Sequence, residues 1–323
     1  MKKTETINKD RIKLIIINGP TAVGKTAVSV ELAKLIGGEI ISADSMQVYR
    51  GMDIGTAKVT YEEMKGIPHH LIDILEPDEE FGVISFKEMA QKKINEITDR
   101  GNVPIICGGT GFYIQAVLYD IEFIEYDEAK QRQIREKLEK ELAEEGALVL
   151  YERLKGIDPE YAAIIHPNNT GRLLHSLETW ELTGKRMSEH NKEQRERKSP
   201  YDFRYFALTD DREKIYERIN KRVDRMIEAG LEQEVRTLLD KGYSRSLQSM
   251  QGIGYKEMAD HIAGEISLDE AIYDIKRETR HYAKKQLTWF KRERDVEFAD
   301  RREFKDNGEI AGFLSESARS HKQ

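Results

Sequence analysis

The chain has little cysteine and no long apolar segment. Cys107 is the single cysteine among 323 residues, which excludes an internal disulfide and a metal site built from several cysteines. No apolar run approaches the ~18 residues of a membrane-spanning helix. The first residues, MKKTETINKDR, also lack the apolar centre of a secretory signal. We therefore expect a cytoplasmic protein that does not enter a membrane.

Charge is abundant but unevenly distributed. Charged residues make up 34% of the chain, and the net charge of −7 argues weakly against a nucleic-acid partner. Residues 276–294, however, contain eight basic and two acidic side chains, whereas residues 120–160 contain thirteen acidic and seven basic ones. Two interpretations stay open: two solvated helix faces of opposite sign, or a local basic face that binds phosphates.

The first third of the chain alternates strand and helix patterns. Helical patterns over residues 27–35 and 86–98 separate four apolar strand candidates, at residues 14–17, 39–42, 71–75 and 103–107. This alternation predicts an α/β fold with a parallel sheet and helices on both faces. Ligands of such sheets bind at the carboxyl ends of the strands, where Asp44 and the turn GGTG at residues 108–111 both lie.

The middle of the chain is helical. No strand pattern occurs between residues 127 and 184, so we predict an all-helical insertion at residues 120–187. A polar connection at residues 188–200 then leads back to the core, which comprises residues 1–119 and 188–323.

The last part of the chain is predicted to rejoin the sheet. Residues 203–208 have strand character. The capping box that begins at Asp210 predicts a helix over residues 212–229, and the box that begins at Ser267 predicts a last long helix from there to about residue 292. We expect an edge strand at residues 296–299 and a frayed tail after residue 307.

Residues 19–26 read GPTAVGKT, a complete phosphate-binding loop between an apolar strand and a helix. Its glycines let backbone N–H groups converge on phosphate oxygens, Lys25 adds a positive charge, and the Thr26 hydroxyl can ligate Mg²⁺. A chance glycine-rich turn is the alternative. We assign an oligophosphate to the whole loop and Mg²⁺ to Thr26; the loop residues are Gly19, Pro20, Thr21, Ala22, Val23, Gly24, Lys25 and Thr26.

The expected metal-binding aspartate of a nucleotide hydrolase is missing. Such proteins usually hold Mg²⁺ with an Asp that closes an apolar strand, yet the strand at residues 103–107 ends in Gly108. The remaining carboxylate at a strand end is Asp44. From its position it can be a metal ligand, a general base or a cap for the residues that follow.

Two further patterns suit phosphate or nucleic-acid binding. Arg218, Arg222 and Arg225 share one face of a helix, as expected of arginines that close over phosphates; a solvated face is the alternative. Trp289 lies in the basic segment, where it suits stacking on an unstacked base or belongs to the core.

Taken together, these residues resemble the tRNA dimethylallyltransferases in their bacterial form. The resemblance covers residues 14–290, nearly the whole chain, and rests on seven motifs in order: GPTAVGKT at 19–26, DSMQVYRGMDIGTAK at 44–58, HHLID at 69–73, GGTGFY at 108–113, IHPN at 165–168, GIGYKE at 252–257 and AKKQLTWF at 283–290.

The resemblance implies transfer of a dimethylallyl group from dimethylallyl diphosphate to N6 of adenosine-37, beside the tRNA anticodon, with Mg²⁺. It implies that Thr21, Lys25, Thr26 and Arg222 hold the diphosphate and that Asp44 is the general base; Asp44, Thr21 and Arg222 are the catalytic residues. The partners are then the tRNA anticodon stem-loop and the diphosphate, for a monomeric enzyme. The tRNA contacts implied are Asp44, Ser45, Met46, Gln47, Thr110, Arg172, Gly254, Tyr255, Lys256, Arg280, Lys284 and Gln286.

The chain departs from the family pattern at three positions. His175, Lys256 and Lys285 stand where many members carry arginine, which weakens the case for bidentate contacts there. Three other functions are weighed against tRNA prenylation: prenylation of free adenine nucleotides, phosphorylation of a small molecule by a P-loop kinase, and non-catalytic RNA binding. The basic segment at residues 276–294 favours tRNA over a free nucleotide.

Overall fold

A computed structural model describes residues 11–124 and 127–319 of the chain. Its contacts divide the chain into two units, which we call the core unit (Met1–Leu118 with Pro200–Gln323) and the helical unit (Tyr119–Ser199). The strands are β1 (Lys13–Asn18), β2 (Gly38–Ala43), β3 (His69–His70), β4 (Val103–Gly108), β5 (Asp202–Thr209) and β6 (Val296–Asp300). The helices are α1 (Lys25–Ile36), α2 (Tyr61–Met64), α3 (Val83–Asp99), α4 (Gly111–Leu118), α5 (Glu128–Glu145), α6 (Ala147–Ile157), α7 (Pro159–Ala162), α8 (Thr170–Thr183), α9 (Met187–Glu196), α10 (Arg212–Glu228), α11 (Leu231–Asp240), α12 (Tyr255–Ile262), α13 (Leu268–Phe290) and α14 (Asn307–Arg319).

The strands of the core unit form a parallel sheet in the order β3-β2-β4-β1-β5-β6. The central strand β1 is buried in five of its six residues, as expected where both faces of a parallel sheet are covered. Helices α1 and α14 pack on one face of the sheet through Val28, Leu32 and Ile310, and α3 packs on β2 and β4. The prediction of an α/β fold with a parallel sheet is confirmed.

The helical unit has its own apolar core. Leu138 of α5, Leu150 and Leu154 of α6, and Leu173 and Leu177 of α8 are each at most 1% exposed and pack together. Within the described residues of this unit the regular elements are helices, as the sequence predicted.

The connection predicted at residues 188–200 is instead largely the helix α9. Met187 at its start is buried in the core of the helical unit, and Asp158 accepts a hydrogen bond from the backbone N–H of Ser188 at 2.8 Å. Helix α9 therefore belongs to the helical unit, whereas the sequence predicted a connection that leads out of it. Met187 and the buried carboxylate of Asp158 hold the helix in this unit.

The strand predicted at residues 71–75 is wrong. The strand at this place is β3, and Leu71 and Asp73 have φ angles of 61° and 54°, which an extended strand does not tolerate. Asp73 instead turns its carboxylate towards Lys58.

Two further details of the core unit differ from the prediction. The cap of α10 is Asp211, whose carboxylate accepts from the N–H groups of Glu213 and Lys214, while Asp210 forms an ion pair with Arg218. The part of the expected frayed tail that the structure describes, residues 307–319, is the helix α14, which buries Ile310 and Leu314 against α1. The strand that we expected at residues 296–299 is confirmed as β6, at the edge of the sheet.

Across residues 11–124 and 127–319, no helix has both the length and the apolar character needed to cross a membrane.

Candidate active site

The phosphate-binding loop connects β1 to α1 at the carboxyl end of the central strand. The ammonium group of Lys25 donates to the carbonyl oxygens of Gly19 (2.9 Å) and Pro20 (3.0 Å), so it lies across the concave side of the loop. Burial, together with the charge of Arg222, lowers the pKa of Lys25 to about 8. A lysine whose charge is poorly solvated gains strongly from an anion in the loop.

Helix α10 supplies two arginines to this loop. Arg222 donates to the Thr21 hydroxyl at 3.2 Å, and burial lowers the pKa of its guanidinium. Arg218 donates to the Ala22 carbonyl at 2.9 Å and pairs with Asp210. The predicted arginine face is therefore turned towards the phosphate loop, except that Arg225 is exposed and donates to the Lys221 carbonyl of its own helix.

Asp44 lies at the end of β2, which β4 separates from β1. One carboxylate oxygen accepts from the Met46 N–H at 2.9 Å, which fixes the side chain in a turn. The charge of Asp44 acts on Lys25, Arg222, Tyr113 and Tyr282. Asp44 therefore does cap a turn, and its carboxylate also lies in the electrostatic range of the phosphate loop.

A second glycine-rich turn lies between the phosphate loop and α13. The buried side chain of Gln286 donates to the Gly109 carbonyl at 3.0 Å and accepts from the Thr21 N–H at 2.8 Å. A Cβ atom at Gly109 would lie 2.2 Å from the Gln286 amide nitrogen, and one at Gly111 would lie 2.3 Å from the Trp289 ring. Glycine is therefore required at both positions by the close approach of α13.

The segment after Asp44 is held by a partly exposed carboxylate. Glu234 of α11 accepts from the N–H groups of Asp53 (2.9 Å), Ile54 (2.8 Å) and Gly55 (3.1 Å). The Tyr255 hydroxyl donates to the same carboxylate at 2.6 Å, and burial raises the pKa of this phenol. The motifs at residues 44–58 and 252–257 thus meet in space, and Glu234, which sequence reasoning did not identify, joins them.

Several of the residues expected to contact tRNA are occupied within the protein. Gln286 is 5% exposed and Tyr255 is fully buried, so their side chains position loops. The side chain of Gln47 bonds to Ser42, Thr56 and Ala57. Of the three, Tyr255 alone stands next to a glycine, Gly254, and this neighbour is the signal in the sequence that predicts its close packing.

Other expected tRNA contacts remain accessible. Lys256 and Lys284 are exposed, and Ser45, Met46 and Thr110 are partly exposed. Arg172 is exposed on α8 of the helical unit, and the partly exposed Arg280 donates to Asn220 at 2.7 Å, which ties α13 to α10. Gly254, in contrast, is buried at the N-cap of α12, with a φ of 98°.

A groove of about 470 Å³ runs along the basic face of α13. Its lining combines cations with Trp289, which is partly exposed and whose ring contacts Phe112 edge to face. The groove is lined by His281, Lys284, Lys285, Thr288, Trp289 and Arg292. Clustered cations beside an aromatic ring suit a nucleic-acid backbone with an unstacked base.

The donor set near the loop fits Mg²⁺ bound mainly through substrate oxygens. Among the described residues, no group of three or more His, Cys, Asp or Glu side chains forms a metal cage. Thr26 lies exposed in the first turn of α1, which leaves its hydroxyl available. Mg²⁺ commonly keeps several waters and takes few protein ligands together with phosphates, so such a set is sufficient.

Known proteins resemble this chain over nearly its full length. A family model described as IPP transferase matches residues 47–293. Relatives named tRNA dimethylallyltransferase include those of Lachnoclostridium phytofermentans, 55% identical over 92% of this chain and 94% of the relative, and Bacillus cytotoxicus, 50% identical over 95% and 96%.

Solved structures agree with the sequence relatives. The tRNA isopentenylpyrophosphate transferase of Bacillus halodurans is 46% identical over 95% of this chain and 96% of that one, with a TM-score of 0.70. A eukaryotic dimethylallyltransferase acting on tRNA is 30% identical over 97% and 81%, with a TM-score of 0.79. The family resemblance drawn from the motifs is confirmed, while the role of each site residue stays a prediction.

Proposed function

The chain belongs to the IPP transferase family, and on that premise we propose that it transfers a dimethylallyl group from dimethylallyl diphosphate to tRNA. The observation that carries the proposal is the convergence of Lys25 and Arg222 at the phosphate loop with Asp44 within their electrostatic range. A loop for the leaving diphosphate and a carboxylate for the incoming nucleophile are the two parts that this reaction needs.

The phosphate loop stabilises the leaving group. When the allylic C–O bond breaks, negative charge builds on the diphosphate, and Lys25, Arg222 and the backbone N–H groups of the loop counter it. Lys25 then regains the full charge that its buried position disfavours. Attack at carbon requires no cleavage of a phosphate, which accounts for the missing aspartate after β4.

Asp44 takes the proton of the acceptor. The exocyclic amine of adenine is a weak nucleophile because its lone pair is delocalised, so its proton must leave as the N–C bond forms. A carboxylate held in a fixed turn by Met46 can accept that proton in the transition state, an effect of about 10²–10⁴-fold in rate. The Thr21 hydroxyl, in contact with Arg222, completes the set of catalytic residues.

Mg²⁺ is the cofactor that we assign to the loop. The Thr26 hydroxyl is the ligand that the chain offers, and the ion supplies further charge neutralisation of the diphosphate when bound.

The acceptor is adenosine-37 of the anticodon stem-loop. The target base leaves the loop stack to reach Asp44, which costs a few kcal/mol. Contacts from Ser45, Met46 and Thr110 to the base and from Lys256 and Lys284 to the backbone offset this cost. We further propose that the enzyme acts in the cytoplasm as a monomer.

One assay distinguishes the acceptor and the reaction. The purified chain is incubated with dimethylallyl diphosphate and Mg²⁺, with either unmodified tRNA or AMP as acceptor. We expect prenylated tRNA and little prenylated AMP, because a free nucleotide does not use the basic face of α13. Transfer to AMP without transfer to tRNA would contradict the proposal.

A further inference from the structure

Tyr282 lies on α13 one turn before Gln286, and α13 turns both side chains towards the site. Gln286 is buried between the two glycine-rich turns, whereas the Tyr282 side chain remains 37% exposed. Residues four apart occupy the same face of a helix, so Tyr282 extends that face outward from the buried amide towards solvent. Tyr282 directly precedes the motif at residues 283–290 and is not part of it.

The phenol of Tyr282 is surrounded by site residues. Its hydroxyl lies near the side chains of Thr110 and Gln286, and the Asp44 and Tyr113 groups are close enough to act on its ionisation. Burial of the hydroxyl end, reinforced by the Asp44 charge, raises the pKa of Tyr282 to about 12. The raised pKa favours the neutral phenol, whose hydroxyl end is the more buried part of the side chain.

We propose that the ring of Tyr282 is a wall of the reaction site, which contacts the transferring dimethylallyl group and keeps water from its reacting carbon. The inference rests on the proposed prenyl transfer. It follows from the placement of a half-exposed aromatic ring on the face of α13 that also presents Gln286 to the Thr21 N–H and the Gly109 carbonyl, beside the loop for the leaving diphosphate. The face of an aromatic ring also attracts the positive charge that an allylic carbon develops as diphosphate leaves.

Two outcomes compete for that carbon. In transfer, the C–O bond to diphosphate breaks, the adenine nitrogen bonds to the carbon, and the amine proton passes to Asp44. In hydrolysis, the same C–O bond breaks, a water oxygen bonds to the carbon instead, and the water proton leaves to solvent, which gives dimethylallyl alcohol and diphosphate. The ring of Tyr282 favours the first outcome because it excludes water from the carbon.

The test measures the coupling ratio, prenylated tRNA formed per diphosphate released, at saturating tRNA and substrate. For Tyr282→Ala we expect a coupling ratio at least 3-fold below the wild-type value, and a lower turnover number by roughly 2- to 30-fold, as a cation–π contact of about 0.5–2 kcal/mol would give. Tyr282→Phe keeps the ring, so its coupling ratio should stay near that of the wild type.

Tyr273→Ala is the matched control. Tyr273 lies on the same helix, is 61% exposed and contacts Arg277 rather than a site residue. Its coupling ratio should equal the wild-type value, and circular dichroism melts establish that all three variants fold.

Two results would overturn the role of Tyr282. One is an unchanged coupling ratio in Tyr282→Ala. The other is an equal loss in Tyr282→Phe and Tyr282→Ala, which would assign the effect to the hydroxyl. A wild-type chain that prenylates AMP but not tRNA would instead overturn the acceptor proposed above, and the coupling ratio measured with AMP would still decide the role of the ring.

Discussion

At the scale of single residues, the sequence located the site better than it described the contacts. Asp44 and the phosphate loop could be predicted because a residue at the end of a parallel strand reaches the ligand edge by geometry alone. The side chains of Gln47, Tyr255 and Gln286 were expected at tRNA, yet they bond within the protein, to the Thr56 carbonyl, the Glu234 carboxylate and the Thr21 N–H respectively. Bonds between such separate segments leave no periodic signal in the chain.

Asp44→Asn separates the two roles of Asp44. The asparagine oxygen can still accept from the Met46 N–H and keep the turn, but it cannot take a proton. We expect turnover about 10²–10⁴-fold below the wild type, with tRNA affinity changed little, measured by single-turnover kinetics and filter binding. Near-normal turnover in this variant would leave Asp44 only the role of a cap.

At the scale of elements, the bounds of the long helices and of every predicted strand except that at residues 71–75 followed closely from the apolar pattern and the capping boxes. The box at Ser267 does begin α13, whereas a misplaced cap at Asp210 and an unexpected α14 show where local pattern fails. Helix α14 is stabilised by apolar contacts with α1, which lies far earlier in the chain, and local sequence does not report such contacts.

Gln286→Leu should loosen both glycine-rich turns together. The change leaves the Thr21 N–H and the Gly109 carbonyl without their partner, so we expect a loss of about 1–3 kcal/mol in the free energy of unfolding. A displaced loop also misplaces the diphosphate, which should lower kcat/KM for dimethylallyl diphosphate by roughly 10- to 100-fold.

The control for this variant is Gln233→Leu on α11, where the amide is exposed and its partner, Thr237, lies on the same helix. Denaturant unfolding should show a change within about 0.5 kcal/mol. If Gln286→Leu behaved like this control in both stability and kcat/KM, the bridging role of Gln286 would be wrong.

The junction of α4 and α13 should respond to pH. Burial raises the pKa of Glu293, whose carboxyl accepts from Gln115 at 3.3 Å, from 4.5 to about 7, although Arg294 acts in the opposite direction. A raised folded-state pKa means that the stabilising contribution is complete below pH 4.5 and is lost as pH rises through about 7.

Glu293→Gln removes this dependence and keeps the acceptor oxygen. At pH 8 the variant should be more stable than the wild type by about 1–2 kcal/mol, and the difference should shrink towards pH 5. Urea unfolding of both proteins across this range measures it; a difference that stayed constant with pH would rule out Glu293 as its source.

At the scale of the whole molecule, the uneven charge of the sequence agrees with the arrangement of its surfaces. A chain of net charge −7 nevertheless concentrates cations along α13, next to the reaction site. The α/β class, the parallel sheet and the helical character of the inserted unit were all accessible from pattern. The C-terminal limit of that unit could not be predicted from the pattern. Met187 packs in the apolar core of the unit and Asp158 accepts from Ser188, thirty residues later, and these contacts hold α9 in the unit.

Binding of tRNA should depend steeply on salt. Lys284→Ala removes one exposed cation from the groove on α13, so the slope of log Kd against log salt should fall by about 1. Lys34→Ala on α1, where the lysine pairs with Glu31, should leave the slope unchanged. Equal slopes for the wild type and Lys284→Ala would exclude α13 as a phosphate-binding surface.

In the mechanism that we propose, the phosphate loop holds a departing diphosphate while carbon is attacked. The most direct measurement is a single turnover with tRNA, in which phosphorus NMR identifies the released anion and mass spectrometry identifies the modified nucleoside. We expect one intact diphosphate and one dimethylallyl group on an adenine nitrogen for each turnover. Release of monophosphate, or a phosphoryl group on any acceptor, would contradict it.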